Sequence, residues 1–159
     1  MKKYLLAVLL IAISTAVASA NSLDLSLSRD FYMLSADIRP DLSPVSAVME
    51  AGRTFGHTDP SQVRAFTIIG LGYEYAKFTP WIGWARIVGN GKNGLAFGVN
   101  SEVWQDRVGF SGTLAVMSNN FHTAGRVKYK WELATAHLGF VYNSHIGKAR
   151  LVAGVGIHY

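Results

Sequence analysis

Alternation constrains this chain more than any other feature. From Leu23 onward it breaks into segments of about ten residues in which every second side chain is apolar, separated by turn residues. A period of two places those side chains on one face of an extended strand. Leu23, Leu25 and Leu27 alternate with Asp24, Ser26 and Ser28, and Tyr32, Leu34, Ala36 and Ile38 follow. Val45, Ala47, Met49 and Ala51 come next, with Glu50 on the opposite face. Later segments repeat the pattern: Ile69, Leu71, Tyr73 and Tyr75; Leu95, Phe97, Val99 and Val103; Val108, Phe110, Leu114 and Val116. Two more follow before the terminal strand, with Phe121, Val127, Tyr129 and Trp131, then Ala136, Leu138, Phe140 and Tyr142. The expectation is an all-β fold of about ten strands, fewer if the first two merge or one stays outside, with eight the main alternative.

The breaks are turns by composition. Residues 39–44 hold two prolines, and 55–62 (FGHTDPSQ) form the longest break. A turn is expected at 77–80, a loop at 89–94 (GNGKNG), a tight turn at Gln105-Asp106 and a loop at 118–120. The phase flips at Leu133-Ala134, which puts a short turn within 132–135, and 144–148 lead into the last strand. Residues 81–88 read as a strand whose two faces the alternation does not separate.

The final strand alternates Ala149, Leu151, Ala153, Val155, Ile157 and Tyr159 with small or polar residues, and Tyr159 belongs to the oily face. Gly154, Ile157 and Tyr159 resemble the terminal signal strand of bacterial outer-membrane β-barrels, although Val152 stands where that pattern has a polar residue. The other end of the chain agrees. Lys2 and Lys3, an apolar run from Leu5 to Ile13 and Ala18-Ser19-Ala20 read as an export signal cleaved after Ala20. The organisation expected is therefore a signal over 1–20 and one barrel over 21–159. Beyond residue 20 no apolar run is long enough for a helical span. Cysteine is absent, so the exported domain must be stable without disulfides. Without Lys2 and Lys3 the basic residues exceed the acidic by only three. That excess, with no aromatic-basic patch, excludes nucleic acid as an expected partner.

Alternation alone suits either a membrane barrel or a soluble lipocalin-like barrel that holds an apolar ligand. Three features favour the membrane form in the outer membrane of a Gram-negative cell. The polar face is largely Gly, Ser, Thr, Asn and His, too poor in Lys and Glu for a water-facing surface. Tyr73, Tyr75, Trp131 and Tyr159 sit near strand ends, as membrane-interface anchors do. No helix is needed to cap a closed sheet. The fold expected is a single closed antiparallel transmembrane β-barrel. The longer breaks at 55–62, 89–94 and 143–148 fall at one end, and the tight turns at the end that holds the C terminus.

Within that barrel the inward charges include Glu50, Arg64, Glu74, Glu102, Arg107, Arg126, Lys128, Lys130 and Arg150. A barrel of this size can be filled by its own side chains. Neighbouring opposite charges therefore read as internal ion pairs in a mostly filled lumen, and alternatively as the lining of a narrow, porin-like pore at Glu102, Arg107, Arg126, Lys128, Lys130 and Arg150. Catalysis is not expected. Ser118 and His122 are more than about 10 Å apart along a strand at ~3.3 Å per residue, and no acid is placed to orient His122 or His145. Lipid modification at those histidines remains the enzymatic alternative. His57, Asp59 and His145 have no metal-ligand spacing, and GNGKNG lacks the features of a phosphate loop, so no cofactor is expected. The expected partners are outer-membrane lipid and, through the C-terminal strand, the barrel assembly machinery; no other protein partner is indicated. Residues 21–28, NSLDLSLS, resemble the start of the YfaZ-like small outer-membrane proteins. That resemblance implies a small integral barrel of undefined role, with no catalytic motif to carry over.

Overall fold

The computed structural model describes residues 20–40, 43–55, 63–88, 93–117 and 119–158. The expected signal before Ala20, most of the 55–62 break, residues 89–92, Ser118 and Tyr159 lie outside the described residues. The strands are β1 (Ala20–Leu27), β2 (Phe31–Ile38), β3 (Val45–Thr54), β4 (Ala65–Tyr73), β5 (Phe78–Val88), β6 (Asn93–Gln105), β7 (Val108–Met117), β8 (Asn120–Trp131), β9 (Ala134–Asn143) and β10 (Ala149–His158). Each pairs antiparallel with its chain neighbour, and β1 pairs with β10 from Ser22 opposite His158 to Leu27 opposite Ala153. The ring is closed, so no strand is left with an unpaired edge. The fold is the ten-strand antiparallel barrel that the alternation predicts.

Four connections differ from the expected positions. Gln105 pairs with Val108, so the tight turn is Asp106-Arg107, with Asp106 in the left-handed region at φ 53°. β5 begins at Phe78 rather than after residue 80; Tyr75 bridges Phe78, so the turn is Ala76-Lys77, with Ala76 at φ 57°. Pro80 is tolerated inside β5 because the β4 ladder has already ended at Trp81 opposite Gly72. β6 starts at Asn93 and β8 at Asn120, inside the two expected loops, because each residue finds a ladder partner in Arg86 and Met117.

The faces follow the alternation. Leu71, Leu138 and Leu151 point outward and are 64%, 68% and 84% exposed. Within β5, Thr79, Trp81, Ala85 and Ile87 turn inward, while Ile82, Trp84 and Arg86 turn outward. The interior has two different halves. Toward the connections at 28–30, 55–64 and 144–148, here the loop end, Phe31, Met33, Phe66, Ile68 and Met117 pack inside the barrel as part of one buried apolar cluster. Ile146 of the last connection packs against it. Gly52 makes room for this packing, since a Cβ there would lie 2.8 Å from Phe31 Cζ. Toward the opposite end, which holds Ala20 and His158 and is here called the terminal end, the interior is polar.

Candidate functional site: a charged layer and a chamber in the lumen

β8 supplies the cations of the polar half. Lys128 Nζ donates to Asp24 Oδ2 on β1 at 2.6 Å and to Glu102 Oε1 on β6 at 2.9 Å. Arg126 donates to Ser26 Oγ on β1 at 3.3 Å and Ser35 Oγ on β2 at 3.0 Å. His122 Nε2 stands 3.0 Å from Glu50 Oε2 on β3, and Glu50 also accepts from Thr113 Oγ1 at 3.3 Å. β3 and β8 lie on opposite sides of the ten-strand ring. The Glu50–His122 pair therefore spans the lumen from wall to wall, with Phe66 against the His122 ring at 4.9 Å between centroids.

Between this layer and the terminal end lies a chamber of about 70 Å³, lined in part by Ser22, Asp24, Asp37, Asn100, Glu102 and Lys128. Asp24 Oδ1, Asp37 Oδ1 and Ser111 Oγ are buried on its wall without a hydrogen-bond partner among the described residues. At the rim Arg39 pairs with Asp37 at 2.7 Å and with Glu74 at 3.3 Å. The Asp37 carboxylate raises the pKa of that guanidinium further above its usual value. Trp104 and His158 pack at the same end with ring centroids 5.1 Å apart. Trp81 adds a wall: its Nε1 donates to Asn100 Oδ1 at 3.1 Å, and a Cβ at Gly70 would sit 2.8 Å from its ring.

The residues expected to line the lumen are thus divided. Glu102, Arg126 and Lys128 meet in one layer. Lys130 is half-buried near the terminal end of β8. Arg150 is buried at the loop end, where its Nε and Nη2 donate to Asp30 at 2.9 and 3.1 Å and its guanidinium carbon lies 5.4 Å from the centre of the Phe31 ring. Arg107 is not in the lumen: the two-residue turn carries it outside the ladder, exposed. Arg64 and Glu74 lie in connections rather than strands, and Glu74 joins the rim through Arg39. Asp30, hydrogen-bonded by Arg150 and paired with Lys148 at 3.0 Å, has its pKa held down to about 2. Tyr73, Tyr75 and Trp131 are 55%, 72% and 71% exposed at the terminal end. Tyr159 falls outside the described residues.

Asp24, Asp37 and Arg39 were not among the residues singled out by charge. Parity identifies the first two, since each is out of phase with outward neighbours such as Leu23 and Ala36. Nothing in the alternation identifies Arg39, which acts from a connection.

No protein-family model matches the sequence, and no curated protein matches it. A solved structure described as KdgM porin is similar with a TM-score of 0.39 and 10% identity, over 87% of this chain and 99% of that one.

Proposed function

We propose that the protein is a small integral outer-membrane β-barrel, exported by a signal cleaved after Ala20, whose lumen is closed and whose role is structural rather than conductive or enzymatic. The outward face carries the reading. Its leucines, valines and aromatics, with Leu151 at 84% exposure, form an apolar surface around the barrel that water would disfavour and hydrocarbon would not. A soluble ligand-binding barrel would turn that face inward. Tyr73, Tyr75 and Trp131 at one rim fit the interfacial aromatics of such a barrel. The YfaZ-like start of β1 is compatible with the same reading.

Two layers support a filled lumen. The Phe31–Met33–Phe66–Ile68–Met117 cluster occupies the loop-end half, and the Glu50–His122 bridge crosses beneath it. A narrow pore is the second reading, favoured by the chamber and its charges, and it would have to pass both layers. Membrane fractionation and unheated gel electrophoresis test location: membrane-embedded material with heat-modifiable mobility is expected, and soluble periplasmic material that copurifies with lipid would overturn it. Planar-bilayer recording of the folded protein tests closure, with no ion steps expected.

A further inference from the structure

Along the outward faces of the ten strands, Arg53 on β3 and Arg86 on β5 are the only Asp, Glu, Lys or Arg residues among those described. Both are exposed, both lie at the loop end, and neither makes a hydrogen bond or ion pair among the described residues. β4 runs between them, with Ala65 opposite Arg53 and Thr67 opposite Arg86. At ~4.8 Å between strands and ~3.4 Å per residue, their Cα atoms are about 12 Å apart. Ala65 and Thr67 carry short side chains on the outward face between the two arginines. Toward the terminal end the same outward face continues onto Ile69 and Trp84, 53% and 55% exposed.

A lone guanidinium is costly in hydrocarbon and tolerated near an interface. Two unpaired ones above an apolar slope call for an anion that is itself attached to apolar chains. Phosphate suits the planar fork of arginine, which binds two of its oxygens at once. We propose that Arg53 and Arg86 form a docking site for the phosphorylated headgroup of an acylated lipid of the outer leaflet, its chains running down past Trp84 and Ile69. The proposal rests on the outer-membrane reading above. The apolar slope favours a membrane-anchored phosphate over free phosphate.

Native mass spectrometry of the full chain folded in neutral detergent, with bis-phosphorylated lipid A as probe, provides the test. Retention of that lipid is expected, with affinity about tenfold lower for each arginine lost in Arg53→Gln and Arg86→Gln. Arg29→Gln, an exposed turn position at the same end, should bind as the parent does. Lipid A stripped of phosphate should bind about as weakly to the parent as bis-phosphorylated lipid A binds to the double variant. Equal binding of the two lipids to the parent overturns the proposal, as does undiminished retention by a folded double variant. Displacement by micromolar inorganic phosphate would mean a free-anion site and overturns it too. Should the double variant not fold, the two lipids compared on the parent chain decide alone. A parent chain without heat-modifiable mobility before any lipid is added refutes the outer-membrane reading instead.

Discussion

Lys128 is the residue on which the lumen's charge balance turns. It is 3% exposed and held by two carboxylates, Asp24 and Glu102. Replacing it with Met leaves both acids facing each other in a partly dry interior, whereas Asp24→Asn leaves the Lys128–Glu102 pair intact. Lys128→Met is expected to cost about 3–5 kcal/mol and Asp24→Asn clearly less, read from urea midpoints of the heat-modifiable band. Equal losses would mean that Glu102 does not share the lysine. Asp30 gives a second test. Its folded pKa lies below the ordinary 3.8, at about 2, because Arg150 and Lys148 bind the charged form. The stability it contributes is therefore complete above the unfolded value and is lost as pH falls from 3.8 toward 2. Asp30→Asn should flatten the pH dependence of the unfolding midpoint in that window and change little of it at neutral pH. An unchanged acid limb in Asp30→Asn would show that the loop-end pair does not act on stability.

Strands were legible because each buries one face, and a period of two survives wherever the two faces differ. β10 is the clear case: Val155 is 62% exposed, pairs with Leu25 and Ala136, and alternates with Gly154 and Gly156. β5 was not legible, since Trp81 and Ile87 face inward while Ile82 and Trp84 face outward, and a strand apolar on both sides carries no phase. Turn positions slipped by one or two residues where a polar residue such as Gln105, Asn93 or Asn120 still found a ladder partner. The outward assignment of β10 makes a prediction for the strand as a unit. On the outer-membrane reading proposed above, Val155→Lys puts an ammonium into hydrocarbon and should cost about 2–4 kcal/mol near mid-membrane and impair assembly. His158→Lys, beside the Trp104 ring at the rim, should cost far less. The two are compared by folding yield into lipid vesicles and by urea midpoints, and the reverse order would mean that the barrel is inside out.

At the scale of the whole barrel, the division of the lumen was the part that the sequence concealed. Alternation marks the outward residues as apolar and invites the assumption that the inward ones are polar. Phe31, Met33, Phe66 and Ile68 break that assumption: β2 is apolar on both faces over 31–34, and in β4 the outward Thr67 between Phe66 and Ile68 blurs the phase, so the inward apolar residues do not stand out. The charged layer was partly legible by parity, whereas the link from β8 across to β3 depends on ring closure, which no local pattern encodes. The consequence concerns what seals the barrel. A pore plugged by a connection opens when that connection is altered, whereas on the closed-lumen reading proposed above the sealing side chains belong to the strands themselves. Ile146, from the 144–148 connection, only caps the cluster. Ile146→Ser is therefore expected to leave the protein as silent in planar bilayers as its parent, because Phe31, Phe66 and the Glu50–His122 bridge remain in place beneath it. Sustained ion steps in Ile146→Ser, from protein shown to be folded by its unheated mobility, would move the seal from the wall to the loop. Steps in the parent itself would replace a closed lumen with the narrow pore that the chamber at the terminal end would then feed.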